Sequence, residues 1–390
     1  MLFRSLIADR FPIVFVDEYQ DTHDRTIRLL LDDLAGRNPG RITVGLFGDH
    51  MQRIYNTGVG RVQRDDLTLI QKTENYRCSH AVIDVLNQLR PGLQQVSGGE
   101  NIQGAARFFY VQEASPNPVA SLRNRLRGEG WTEANEKVLM LTRKGIASDL
   151  AWRELLGTYD NRSGFSVDDL MRREDEFGEL FADIELMVNA FNAGRFGEFL
   201  SLRGRNSGRV TKHADKKKAA DEVARLNELR RTGSIGEVIE YVWSVGLLRK
   251  PRRLTRLEDR IAVAEDPDRA QKDQAFLDEL RAVPYAQVVS FERYLNSETP
   301  FSTNHGVKGE EYEDVLVVLD DTLWNQYKFE AVLAGDTGKT QYERSLNLLY
   351  VSCSRAKKGL VVFAVSPMST SAIDGAKRIF GDANVLPFST

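Results

Sequence analysis

Apolar and polar positions follow two rhythms along the chain. Short continuous apolar runs, Phe11 to Val16 and Arg41 to Phe47, predict strands buried on both faces of a parallel sheet, and acids follow them, Asp17-Glu18 and Asp49. Helical periodicity from Asp24 to Ala35 separates the two strands. A further helix is expected from Ser79 to about Leu89, where Pro91-Gly92 stops it. Strands at Ala106 to Val111 and Lys137 to Thr142 flank a helix near Val119 to Arg127 and open a second α/β segment. From about Ser166 to Pro284 long charged helical patterns replace this rhythm. It returns with a strand at Asp314 to Leu319, a helix from about Gln341 to Lys357 and a strand at Gly359 to Val365. The pattern predicts an α/β protein: residues 1–103 in a first lobe, 104–165 and 285–390 in a second, and 166–284 as a mainly helical insertion that interrupts it.

Composition narrows this picture. With 390 residues, 42% of them hydrophobic, the chain is long enough for two or three domains with real cores. Its 53 basic and 56 acidic residues leave a net charge of −3, so a nucleic-acid surface would have to be a local patch. The two cysteines, Cys78 and Cys353, match no metal or redox spacing, which fits free thiols in a reducing cytoplasm. No apolar run reaches transmembrane length, so no membrane association is expected.

Candidate chemistry gathers at the strand ends. Asp17-Glu18-Tyr-Gln-Asp21-Thr22 follows the first strand. A carboxylate there can hold Mg²⁺ through its water shell, and its neighbour can orient and deprotonate an attacking water. Gly48-Asp49-His-Met-Gln52-Arg-Ile-Tyr55 follows the second. An amide beside a phosphate can report its presence, and a tyrosine ring can stack a base with about 1 to 3 kcal/mol. Asn75-Tyr76-Arg77 comes next, behind a short strand expected at Leu67 and Leu69, and offers a flat ring and a charged fork. Two strings close the set: Thr303-Asn-His305-Gly-Val-Lys308-Gly309-Glu310-Glu311-Tyr312, and Glu343 to Lys358. In the last, Leu346, Leu349, Tyr350 and Cys353 fall at helical spacing and predict a buried face, with Arg355 outside it.

These five strings, in this order, resemble the Walker B motif and motifs three to six of UvrD/Rep/PcrA-type superfamily 1A DNA helicases. The resemblance implies two RecA-like parallel-sheet lobes, the first truncated at its N-terminus, with a 2B-like insertion in the second. It also implies ATP and Mg²⁺, single-stranded or partly duplex DNA, and movement from 3′ to 5′. On its terms Asp17 is the magnesium ligand and Glu18 the general base. Gln52 and Arg77 reach the γ-phosphate, Tyr76 stacks on adenine, and Lys308, Gly309 and Glu311 face the nucleotide. Arg355 is the arginine finger, while Tyr55, Thr303 and His305 contact DNA. Thr57 stands where the family commonly has Trp, which puts one stacking platform in question. Compact size and the Asp-Glu-Tyr-Gln-Asp-Thr variant are similar to the helicase-like subunit of Gabija anti-phage systems, which implies a nuclease partner.

One expected motif has no counterpart. Only sixteen residues precede Asp17, and none is glycine, so the Gly-rich phosphate loop ending Gly-Lys-Thr is not among them. The segment Gly335-Asp-Thr-Gly338-Lys339-Thr340 fails the spacing, because Leu333 occupies the position of the first glycine. Two interpretations follow: a motor part whose phosphate cradle lies elsewhere, or a non-catalytic scaffold subunit that binds DNA or a partner. In both, the isolated chain is expected to show no DNA-stimulated ATPase, and the strand Phe11 to Val16 is expected to need a cover. The basic runs Arg203 to Lys218 and Arg249 to Arg256 are expected to be solvated faces, or contacts to duplex DNA or an acidic partner.

Overall fold

A computed structural model describes residues 2–53, 57–162, 166–204, 212–304, 306–307, 309–322 and 325–389. Its apolar runs become parallel strands. Strand β1 (Ile13–Val16) pairs in parallel with β2 (Thr43–Leu46), in the register Ile13 to Thr43 and Val16 to Leu46. The connection between them is the helix Asp24–Arg28, which continues as a wider π-type turn over Leu29–Ala35. A second small pair joins β3 (Glu74–Asn75) to β4 (Val96–Ser97).

The main sheet is built from β5 (Ala105–Val111), β6 (Glu136–Met140), β7 (Phe301–Thr303), β8 (Tyr312–Leu319), β9 (Ala356–Ala364) and β10 (Val385–Phe388). Its six strands run in the order β10-β5-β9-β8-β6-β7, all parallel, an arrangement consistent with a RecA-like lobe. Val315, Val317, Leu360 and Val362 sit at its centre, packed with Leu348, Leu349 and Val351 of the helix Tyr342–Cys353 and Ala372 and Ala376 of the helix Thr370–Phe380. Central strands buried on both faces explain why their sequences read as unbroken apolar runs. The helix His80–Leu89, grouped with the first lobe by sequence order, also buries Val82, Ile83, Val85, Leu86 and Leu89 in this core. Its first turn is anchored to the start of β9, where Ser79 N–H donates to the Lys357 carbonyl at 2.7 Å.

The strand expected at Leu67 and Leu69 is absent. Leu69 is 81% exposed and Ile70 76%, so no partner buries one face of this segment, and the pairing before Tyr76 is made by Glu74 and Asn75 instead.

The chain divides into one unit of residues 1–142 and 300–390 and another of Arg143–Thr299. The second departs after β6 and returns at β7, two strands that pair directly. All its described regular elements are helices, and they extend beyond the charged stretch 166–284: Arg143–Asp149, Arg153–Arg162 and Ala286–Leu295 belong to it. Trp152 packs edge-on to Phe291 at 5.3 Å and stacks on Tyr294 at 5.5 Å. Within the first basic run, Arg203 is buried against Glu222 at 2.8 Å, so its charge is neutralised inside the unit; residues 205–211 lie outside the described residues.

Candidate nucleotide site

Asp17 and Glu18 stand at the carboxyl end of β1, as acids at the ends of parallel strands do in open α/β sheets. Glu18 adopts a left-handed backbone, φ 49 and ψ 43, a conformation that costs a non-glycine residue free energy and is found concentrated at functional sites. Its N–H donates to Asp17 Oδ1 at 2.9 Å. The next turn places Gln20 in the interior, where its side-chain amide donates to Glu18 Oε2.

At the end of β2, Asp49 caps the turn His50–Gln52 by accepting from Met51 N–H at 3.0 Å. Its other oxygen takes Arg90 Nη1 at 2.7 Å and Gln52 Nε2 at 3.4 Å. Arg90 lies over the Tyr350 ring at 5.7 Å, and the Tyr350 hydroxyl accepts from Gln95 Nε2 at 2.8 Å. No motif marks Arg90 or Gln95. The one signal for Arg90 is its position as the residue that ends a helix, just before Pro91-Gly92.

A cleft of about 640 Å³ lies beside this network, and residues from four of the five strings line it: Gln52, then Asn75, Tyr76 and Arg77, then Glu311, then Tyr350, Ser354 and Lys357. Lys72, Thr73, Glu74, Cys78, Leu86 and Gln95 complete its wall. Tyr76 is 75% exposed with one side of its ring against Gly98, where a Cβ would come within 2.8 Å of the ring. An aromatic face held by backbone and open to solvent can take a planar base. Arg77 Nε pairs with Glu311 Oε2 at 2.6 Å, and Lys357 Nζ with Glu311 Oε1 at 3.0 Å. Lys357, and then Arg77, hold the Glu311 carboxyl below its usual range. Gly309, two residues earlier, uses the left-handed backbone open to glycine, φ 86.

Arg355 departs from its expected placement. It is 2% exposed, not projected from an open helix end. Its guanidinium donates to the carbonyls of Val351 at 3.0 Å and Glu310 at 3.2 Å, to Ser354 Oγ at 2.9 Å and to Gln52 Oε1 at 3.4 Å. Burial, and then the neighbouring Arg77 charge, lower its pKa, while Cys78 and then Glu18 raise it. The acid of β1, the amide after β2 and this arginine are thereby within electrostatic reach of one another. Leu349, Tyr350 and Cys353 are buried as their spacing predicts, and Leu346 is partly buried.

Asp17 and Glu18 are not among the residues lining the cleft. Thr303 ends β7, and its hydroxyl accepts from Gly306 N–H at 3.1 Å. Tyr55, His305 and Lys308 lie outside the described residues. The segment Gly335 to Thr340 is a turn between two helices with no strand before it.

No family model matches the chain. It is similar to Gabija protein GajB from Bacillus cereus (strain HuB5-5), with 26% identity over 440 aligned residues that take in 99% of this chain and 63% of that protein. The similarity supports a GajB-like relationship along the whole of the chain, which spans less than two thirds of that relative.

Proposed function

We propose that this chain is part of an ATP-driven motor that moves along DNA, acting in the cytoplasm in anti-phage defence beside a nuclease. The observation that carries this is the cleft in which Gln52, Tyr76, Arg77, Glu311 and Lys357, drawn from four separated strings, converge with Arg355 behind them. An exposed ring for a base, a carboxylate for ribose hydroxyls and two fixed arginines for phosphate make a coherent nucleotide-recognition set. The similarity to Gabija protein GajB supports the defence context. Movement is taken as 3′ to 5′ on single strands, with Tyr55, Thr303 and His305 against the DNA and residues 166–284, within the helical unit Arg143–Thr299, in the place of a 2B domain.

In this function Glu18 removes a proton from water as the water oxygen attacks the γ-phosphorus. The bond to the bridging oxygen breaks, and ADP and phosphate leave. Gln52 and Arg77 steady the γ-phosphate, and Arg355 offsets the charge that develops on it. Magnesium fits the donors present: it takes one or two carboxylates plus waters and substrate phosphates, and the Asp17 carboxylate is exposed. Among the described residues no cluster of three His, Cys, Asp or Glu forms a closed metal cage, so Asp17, with Glu18 beside it, would hold an ion that arrives with the nucleotide. When bound, it would supply positive charge to the phosphate oxygens. The cradle for the β-phosphate is assigned to polypeptide other than these 390 residues.

A scaffold role is the second reading, favoured by the apolar surface at β1 and β2, where Phe11, Ile13, Phe15 and Phe47 are all more than half exposed. Phosphate release separates the two. The protein as its native gene expresses it, with single-stranded DNA, is expected to turn over ATP and to lose at least about 100-fold in Glu18→Gln. The 390-residue chain alone is expected to bind a fluorescent ATP analogue, weakened by Arg77→Ala, without turnover. Nucleotide binding in neither preparation would leave the scaffold role. Robust turnover by the isolated chain, abolished by Glu18→Gln, would overturn the assignment of the cradle.

A further inference from the structure

Gln20 belongs to the first acidic string but holds no role in the chemistry so far. It is 0% exposed, and its surroundings are built around it. Its backbone carbonyl accepts from Gly60 N–H at 2.9 Å. Its side-chain nitrogen donates to Glu18 Oε2, and its Oε1 accepts from Asp49 N–H at 3.2 Å. Two glycines press against it: a Cβ at Gly48, whose φ is 149, would lie 2.2 Å from Oε1, and a Cβ at Gly58 would lie 2.2 Å from its carbonyl oxygen. A buried amide with both polar ends engaged and no room to rotate is a rigid link.

What it links gives it a function. One end holds the Glu18 carboxylate, which sits on a left-handed backbone of the kind that persists where the surroundings fix it. The other end holds Asp49, whose carboxylate contacts Gln52 and Arg90. We propose that Gln20 is a positioning residue: it sets the Glu18 carboxylate in place for water attack and ties that placement to the turn carrying Gln52. This rests on the hydrolytic role proposed above for Glu18. The geometry requires one particular side chain. Asparagine is a methylene short of spanning both contacts, and glutamate turns the donor toward Glu18 into a second acceptor.

The test uses Gln20→Met, which keeps the volume without hydrogen bonds, and Gln20→Glu, which keeps the size if the methionine protein folds poorly. Both are compared with Glu18→Ala and the Glu18→Ala/Gln20→Met double variant, in the protein expressed from its native gene with single-stranded DNA. Either Gln20 variant should lower kcat by about 10- to 100-fold, the scale on which a misplaced catalytic group slows a reaction, with KM for ATP within about twofold. The double variant should turn over no more slowly than Glu18→Ala, because Gln20 acts through Glu18. Thermal unfolding is the readout apart from activity: the Tm losses of Glu18→Ala and Gln20→Met should not add. Wild-type kcat in Gln20→Met, a further loss in the double variant, or additive Tm losses would each sink the positioning role while leaving the motor intact. Wild-type protein that binds nucleotide but releases no phosphate would sink the hydrolytic role, and this inference with it.

Discussion

Asp49 serves three neighbours with one carboxylate: the Met51 N–H, the Gln52 amide and the Arg90 guanidinium at 2.7 Å. Both members of the ion pair are largely shielded, at 13% and 18% side-chain exposure, so removing one leaves the other a poorly hydrated charge. Asp49→Ala is expected to lower unfolding stability by about 1.5 to 3 kcal/mol in urea titration with an unchanged slope. Asp49→Ala with Arg90→Met should recover part of that loss. Glu311 gives a pH-dependent counterpart. Its carboxyl titrates below its usual range in the folded chain because Lys357 and Arg77 favour the charged form. A depressed folded pKa means a contribution present above the unfolded value, about 4.3, and lost as pH falls through the lowered one. The stability difference between wild type and Glu311→Gln should therefore be constant near neutral pH and close below about pH 4. A gap that widened on acidification would contradict the pairing.

Among elements, the helix Tyr342–Cys353 joins core and cleft. Leu348, Leu349 and Cys353 fill the space over the main sheet, while Tyr350 on the same face reaches Arg90 and Gln95. Its packing sets where the following turn holds Ser354 and Arg355. Leu349→Ala should cost about 2 to 5 kcal/mol through lost burial and the cavity left behind, and the loss should appear in calorimetry as a lower Tm. A change under about 1 kcal/mol would mean that the site collapses around the smaller residue. Partner choice decides the other elements. The segment at Leu67 has leucines and no sheet to pair with, whereas Glu74–Asn75, with little strand propensity, pairs with Val96–Ser97.

At the scale of the molecule, the two-stranded sheet of β1 and β2 presents an exposed apolar surface among the described residues. Phe15 is 66% exposed and meets Phe47 edge-on at 5.1 Å, and a Cβ at Gly45 would come within 2.8 Å of the Phe15 ring. Parallel strands are ordinarily buried on both sides, and here one apolar face stays open to solvent. In the 390-residue chain Phe15→Ser should cost at most about 1 kcal/mol, the scale of one aromatic pair, while reducing hydrophobic-dye fluorescence. A loss of several kcal/mol would place Phe15 in the core. Among the described residues no helix is long and apolar enough to cross a membrane.

Sequence by itself determined β1, β2, β5, β6, β8 and β9, the helices that follow Asp24, Ser79, Pro118 and Gln341, and the α/β class, because hydrophobic period is a property of one element's geometry and needs no knowledge of its neighbours; the short strands β3, β4, β7 and β10 and the helix Thr370–Phe380 carried no such mark. It also determined which residue types stand at the strand ends. Tertiary structure alone decided that Arg355 is buried, that the helix His80–Leu89 joins the main core, and that Gln20 and Asp49 connect the acids of β1 to Arg90 and Tyr350. The physical reason is separation along the chain. Arg90 and Tyr350 are 260 residues apart and Arg355 and Gln52 are 303 apart, so these contacts exist only once both partners have been brought to one place. No local pattern records where a side chain's partner will be.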